Sequence, residues 1–356
     1  MPKVQTEPSS VERPKRVTLQ DIAELAGVKK MTVSDALNGT RRVAPATRER
    51  VRRIAKELNY IPNSAARALA TGRTGIIAVL SGPISQPYYA NMVDSLEEHI
   101  NDNGFNLMLM RTPREVHELV TATGNTAVDG AIAIDMMGLV LEFRSHPAIP
   151  CVSLGSVNCS FVDSVVVDLE AGVEEAMRLM VASGRQRIAY FVTATVLTHE
   201  SEGRARAYFS TLRRAELDPE IINVLTDDPM LVEERLRAYI KENGCPGALL
   251  CQNDETAMCA FRVLRDAGFK VPDDVLLVGC DGQLHMKYFD PPLSTIVQPM
   301  KEMCATAWQF LQARIANPDL PHQEAMLHGK LVVRESLGAP LLKPSPKSRA
   351  TKRTVA

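Results

Sequence analysis

The chain has 356 residues, 45% apolar and 23% charged, the profile of a globular protein with room for two or three domains. It holds no run of about 18 apolar residues, and its opening MPKVQTEPSSVERPKR has no apolar segment, which argues against a membrane span and a secretory signal. The formal charge of −1 is unevenly distributed, with 15 Lys and Arg against 7 Asp and Glu in residues 1–74 and 26 against 35 in the remainder, so only a small basic head is suited to a polyanion.

Residues 1–16 are polar and proline-containing and read as a disordered arm. A helix is expected after Thr18, whose hydroxyl and the acid three residues on, Asp21, have the capping spacing. Leu19, Ile22, Ala23, Leu25 and Ala26 form its apolar side, and Gly27 ends it. In the second helix Val33, Ala36 and Leu37 face inward, leaving Lys30, Met31, Ser34, Asp35 and Asn38 outside. Two short helices around a glycine turn fit a DNA major groove, although an ordinary helical hairpin with a solvated face has the same pattern. The basic head favours the first reading. A third helix, Pro45 to Leu58, has a core stripe of Val51, Ile54, Ala55 and Leu58 opposite Arg48, Arg52, Arg53 and Lys56, a solvated face or a set of phosphate contacts. The segment around Asn63 to Gly72 is alanine-rich and too short to be a stable helix alone, so it reads as a linker that becomes helical when supported.

From Gly75 onward short apolar runs alternate with helix-period stretches. Strands are expected at Ile76–Leu80, Asn106–Met110, Gly130–Ile134, Cys151–Leu154, Ser164–Val167, Ile188–Val192, Ile222–Leu225, Ala248–Cys251 and Val275–Cys280. Helices are expected at Tyr88–Asn101, Leu169–Ala182, Arg204–Arg214, Leu231–Glu242, Glu255–Ala267 and Met300–Ala316. This alternation implies an α/β body of parallel sheets flanked by helices, in two lobes given its length. Ligands of such sheets bind at the C-terminal strand ends, here Ser81–Tyr89, Gly155–Asn158, Thr193–Arg204, Gln252–Asp254 and Cys280–Gln283. The basic tail after Ala339 reads as disordered.

The seven cysteines (Cys151, Cys159, Cys245, Cys251, Cys259, Cys280, Cys304) and seven histidines show no metal-ligand spacing. No dinucleotide fingerprint, phosphate loop or nucleophile elbow is present. No cofactor, metal or catalytic residue is therefore expected, and free cysteines suit a reducing cytoplasm.

The head and linker, VTLQDIAELAGVKKMTVSDALNG and VAPATRERVRRIAKELNYIPNSAARALATGRTGIIAVL, resemble LacI-type (lactose/purine-repressor) transcription regulators. The resemblance continues through Asp168–Gly172, Asn253-Asp254, Val278–Asp281 and Pro291–Pro299, covering roughly residues 17–338 in order. It implies a helix-turn-helix head over 17–62, a hinge helix over 63–73, and an effector-binding and dimerisation body over 74–339 that resembles periplasmic sugar-binding proteins. Lobe 1 would take about 74–167 and 298–326 and lobe 2 about 168–297 and 327–339, with 340–356 as tail. Three strands would cross between the lobes, near Asp168, near Pro292–Gln298 and before Leu327.

The resemblance further implies a homodimer on a palindromic double-stranded DNA operator, switched by a small molecule with a sugar favoured. Lys30–Leu37 would be the recognition helix, with Lys29, Lys30, Met31, Thr32, Ser34 and Asp35 at the groove and Thr18, Asn38, Asn63 and Ala66 completing the contacts. Leu69 would wedge into the central minor-groove step. Carried over residue by residue, the effector cleft includes Arg204, Asn253 and Asp281; Tyr88 and Tyr89, on the first strand–helix loop, offer rings to stack on the ligand's apolar face, and which of the two faces inward is left open. A purine-type, corepressor-dependent regulator is the alternative, ahead of a sugar-modifying enzyme carrying a DNA-binding head. A periplasmic transport receptor would share the body but neither the basic head nor the missing signal peptide. The chain departs from the family pattern twice. Asp35 stands where arginine is usual, and Gly155 stands where several sugar-responsive members carry an acid.

Overall fold

A computed structural model describes residues 17–38, 43–60, 73–121, 128–144 and 149–338. The expected arm, the hinge residues Asn63, Ala66 and Leu69, and the tail lie outside the described residues. The chain divides into two compact units at Arg73/Thr74.

The first unit is three helices, α1 (Leu19–Ala26), α2 (Lys30–Asn38) and α3 (Pro45–Glu57). Asp21 N–H donates to Thr18 Oγ1 at 3.4 Å, and Thr18 N–H donates to Asp21 Oδ2 at 2.7 Å, so the first helix starts on a reciprocal cap. Gly27 ends it in the left-handed region at φ 60°, which costs a glycine little. Ala44 gives α3 no side-chain cap, and Pro45 begins the helix instead. Ile22, Ala26, Val33, Ala36, Val51 and Ile54 meet in one small core. Leu25 is a correction, because it is 63% exposed rather than buried. The buried stripe is Ile22, Ala26 and Ala23, and Leu25 lies about 60° outside it on the Ile22 side.

The second unit holds two six-stranded sheets. In the first, β1 (Ile76–Leu80), β2 (Asn106–Met110), β3 (Gly130–Ile134), β4 (Cys151–Gly155), β5 (Asp163–Asp168) and β11 (Glu324–His328) lie in the order β11-β5-β4-β3-β1-β2. In the second, β6 (Ile188–Val192), β7 (Glu220–Asn223), β8 (Ala248–Cys251), β9 (Leu276–Asp281), β10 (Ser294–Val297) and β12 (Lys330–Val332) lie in the order β12-β10-β9-β8-β6-β7. All pairings are parallel except β10 with β12. The flanking helices are α4 (Pro87–Asp102), α5 (Pro113–Thr121), α6 (Met137–Arg144), α7 (Glu170–Ala182), α8 (Gly203–Arg214), α9 (Pro229–Asn243), α10 (Asp254–Asp266) and α11 (Met300–Ala316). Strands buried on both faces, such as β3, β6 and β9, read as continuous apolar runs for that reason.

The chain passes between the sheets after β5, after β10 and between β11 and β12. The three passages touch. A Cβ at Gly329 would lie 2.6 Å from Leu169 Cδ2 and 3.1 Å from Ile296 Cγ2, and Gly329 N–H donates to Asp168 O at 2.8 Å. A side chain there would have to displace the ends of Leu169 and Ile296. The third passage lies at Gly329 rather than before Leu327, because β11 stays with the first sheet through His328. Its alternate residues Glu324, Met326 and His328 are exposed, so it carries little apolar signal. Helices α5 and α6 were not expected; both are short, although α5 carries an apolar stripe with Val116 and Leu119 buried. Strand β7 begins two residues earlier than expected and stops before Leu225, which is exposed at φ 51°.

Candidate DNA-reading face and effector cleft

Along α2, Lys30 and Met31 are exposed and Thr32, Ser34 and Asp35 are half-buried, while Val33 and Ala36 are wholly buried beneath. Lys29 is exposed in the turn before the helix, Thr18 at the start of α1, and Asn38 is the last residue of α2. The helix is therefore held by its apolar side and, with Lys29 in the turn before it, presents two lysines, a 63%-exposed methionine and short polar groups to solvent. An exposed methionine suits contact with a thymine methyl, and the lysines suit phosphate or guanine. On α3, Arg52, Arg53 and Lys56 are exposed, with Arg53 3.8 Å from Glu57.

In the second unit a cleft of about 1030 Å³ opens at the C-terminal strand ends of both sheets, and Tyr88, Tyr89, Arg204, Asn253 and Asp281 all line it. The structure brings together all five residues expected there. Tyr88, in the first turn of α4, is buried and donates from its hydroxyl to Asp135 Oδ2 at 2.8 Å. Burial, then the Asp135 carboxylate, raises its phenol well above the usual range. Tyr89 packs edge-to-face on Tyr88 with ring centroids 5.2 Å apart. Its ring covers Gly82, where any Cβ would overlap it.

Arg204, at the start of α8, is 9% exposed. Its Nε donates to Glu202 Oε1 at 2.9 Å and its Nη1 to Gln252 O at 2.6 Å. Burial opposes the guanidinium charge, but Glu202 more than offsets it, so the group stays protonated. Glu202 also caps α8 through Ala205 N–H. Asn253 caps α10, and its Oδ1 accepts from Thr256 N–H at 2.9 Å, so its amide nitrogen remains as the donor for a ligand.

Asp281 ends β9 at φ 128° and is 5% exposed. Its Oδ1 accepts from Gln298 Nε2 at 2.9 Å. Burial, with Asp254 next, pushes Asp281 well above the usual carboxylate range. Asp254, wholly buried, accepts from Gln283 N–H and Thr295 Oγ1, each at 2.6 Å. Burial raises it to about 6.

Asp135 escaped the sequence reading, while Glu202 and Gln252 lay within the expected strand-end segments and Gln298 within an expected crossing without being singled out. Asp135 is the first polar residue after the apolar strand β3, so the strand-end rule applied to that strand would have found it. The other three act through their neighbours, Glu202 and Gln252 on Arg204 and Gln298 on Asp281, and their roles depend on contacts that the strand-end rule does not give.

A helix-turn-helix unit followed in the chain by a two-lobed, cleft-bearing α/β body defines a ligand-responsive DNA-binding regulator. Residues 18–63 match the family of bacterial regulatory proteins of the lacI type, and residues 177–337 match the periplasmic binding protein-like domain. The chain belongs to the LacI family of transcriptional regulators. It is 28% identical over 331 residues to the transcriptional repressor PurR of Klebsiella pneumoniae (strain 342), covering 90% of this chain and 96% of that one. The Lac repressor dimer bound to operator and the anti-inducer ONPF superposes with a TM-score of 0.77 at 25% identity, over 91% of this chain and all of that one. The regulator CelR in complex with cellobiose gives a TM-score of 0.64 at 26% identity, over 90% of this chain and all of that one. These relatives are regulators, not enzymes, and no described helix is long and apolar enough to cross a membrane.

Proposed function

We propose that this chain acts in the cytoplasm as a homodimeric repressor of a near-palindromic operator, released by a sugar or sugar derivative bound in the cleft. The observation that carries the ligand half is the convergence of Arg204, Asn253 and Asp281 around a space large enough for a sugar. A guanidinium, an amide donor and a carboxylate pair well with vicinal hydroxyls, and tyrosine rings suit the apolar face of a sugar. The CelR–cellobiose and Lac repressor–ONPF complexes support a sugar more directly than PurR supports a purine.

In this mechanism two heads take the half-sites, and the Asn63–Ala70 segments pair as hinge helices stabilised by DNA, with Leu69 at the central step. Ligand closes the lobes and alters the separation of the hinges. A hundredfold change in operator affinity needs roughly 2.7 kcal/mol of differential binding between the two states.

Operator selection with the full chain, followed by anisotropy titrations with sugars, sugar phosphates and purines, tests the reading. A sugar that weakens operator binding without being converted supports it. Conversion of the sugar would point to an enzyme, and tightening by a purine would establish the corepressor alternative. Operator affinity should fall by about 0.9 log units per phosphate contact for each tenfold rise in salt, and a flat dependence would remove the basic head as the binding surface.

A further inference from the structure

We propose that the effector is a carbohydrate bearing a protonated amine, and that anionic sugars are excluded from the cleft. This inference rests on the sugar reading above and names the ligand class within it.

The charges around the cleft carry the argument. Among the described lining residues Arg204 is the one lysine or arginine, and Glu202 already pairs with it at 2.9 Å. Against that neutralised pair stand five further carboxylates, Asp135, Asp227, Asp228, Glu255 and Asp281. A phosphorylated sugar or a uronate would add negative charge to a surface with no unpaired cation to meet it. A cation would meet opposite charge from both lobes, since Asp135 follows β3 of the first sheet and Asp281 ends β9 of the second.

The hydrogen-bonding inventory points the same way. Gln298 is 6% exposed and lines the cleft. Its amide nitrogen is engaged by Asp281, and its Oε1 is buried with no partner among the described residues. Asp281 spends only Oδ1 on Gln298. A buried acceptor, Gln298 Oε1, therefore stands unmet on the residue that holds Asp281, and leaving it so is costly. An ammonium offers three donors from one atom together with the charge that carboxylates favour. Burial and Asp254 raise the proton affinity of Asp281, and a bound ammonium can replace that proton as its counter-charge. The Tyr89 ring, Leu197, Pro229 and Met258 supply an apolar wall for the carbon face of a sugar ring.

The test is calorimetric titration of the full chain near pH 6.5 with D-glucosamine, D-galactosamine and D-mannosamine. Their N-acetyl forms, the parent hexoses, the hexose 6-phosphates and a set of purines complete the panel. N-acetylation keeps the ring and removes the charge. At least one amine is expected to bind about tenfold or more tightly than both its N-acetyl form and its parent hexose, with no binding of the 6-phosphates. Asp281→Asn should abolish that preference, and so should Asp135→Asn at the more exposed position if the first variant fails to fold. A neutral or phosphorylated sugar that binds as tightly as any amine overturns the proposal and leaves the sugar reading standing. Binding by a purine alone, or by nothing in the panel, overturns both.

Discussion

The carboxylate of Asp135 occupies the space that a side chain at Gly155 would need. A Cβ built on Gly155 would overlap Asp135 Oδ1 and lie 2.7 Å from its Cγ. Asp135 is held there by accepting from Ser156 N–H at 3.0 Å and from the Tyr88 hydroxyl, with its own backbone at φ 50°. The acid that the resemblance gives several sugar-responsive members after the fourth strand is absent at Gly155, and the carboxylate of Asp135, which follows β3, lies against that position. A glycine on one strand and an aspartate on the next form a single unit.

That pairing predicts strong non-additivity. Gly155→Asp alone should reduce effector binding at least about tenfold, because it forces two carboxylates into one space. Asp135→Gly alone should also weaken binding by removing the acid and its bond to Tyr88. The double variant, with the acid returned on β4, should recover most of the lost affinity. Titration of all four proteins with the same effector gives the coupling directly, and purely additive losses would show that the two positions act independently.

Much of the architecture was legible because apolar periodicity is a local signal. The runs Ile76–Leu80, Gly130–Ile134 and Ile188–Val192 coincide with strands in the structure. Legibility failed where the signal was not local. Strand β11 pairs along one edge and exposes every other residue, and α6 is too short to show a period. At the cleft, Arg204 and Asp281 could be named in advance through the family resemblance, which places them residue by residue. Gln298 could not, since its contact with Asp281 spans 17 positions of sequence. The link between Asp135 and Gly155 depends on which strands lie side by side, and β3 and β4 are neighbours only in the folded sheet.

Asp35 lies half-buried on α2, on the same helix as the exposed Lys30 and Met31. A carboxylate only accepts, so it favours the exocyclic amine of cytosine or keeps clear of phosphates, whereas arginine reads guanine through two hydrogen bonds. Asp35→Arg should therefore shift the selected half-site toward guanine at one position, with a discrimination of about 1–3 kcal/mol. Binding-site selection with both proteins measures this, and identical sites would remove Asp35 from the reading face.

Asp163, at the start of β5, has a side chain with no solvent exposure and is gripped from two directions. Arg314 of α11 donates to its two oxygens at 2.7 and 3.0 Å, and Gln323, leading into β11, donates from its backbone at 2.9 Å and its side chain at 3.0 Å. Burial opposes the charge, yet these donors prevail and hold the carboxyl below its usual range. Asp163→Ala would leave Arg314 without its counter-charge and should destabilise the body by about 3–5 kcal/mol. Chemical denaturation monitored through Trp308, which is buried in the same core as α11 packs into, reads the loss. A change under about 1 kcal/mol would mean that the arginine finds other acceptors.

Asp254 should give the opposite pH response. Its folded-state value is raised to about 6 by burial, against roughly 3.9 for an unfolded chain. Between those values the folded protein holds a proton that the unfolded chain releases. The stabilising effect is full below about pH 4 and lost as pH rises through 6, for a total on the order of 3 kcal/mol. Asp281, raised in the same direction by burial and by Asp254 itself, extends the effect toward higher pH. The melting temperature of the body should thus fall by several degrees between pH 5 and pH 8 in the absence of ligand. Asp254→Asn keeps an acceptor for Gln283 N–H and lets its new amide donate to Thr295 Oγ1, a hydroxyl able to act in either sense. Removing the acid also relieves Asp281 of a like charge that burial sharpens, so the variant should gain stability over the parent steadily as pH rises from 5 to 8. Melting curves of the two proteins across that range decide the matter, and parallel curves would show that the buried pair does not govern the pH dependence.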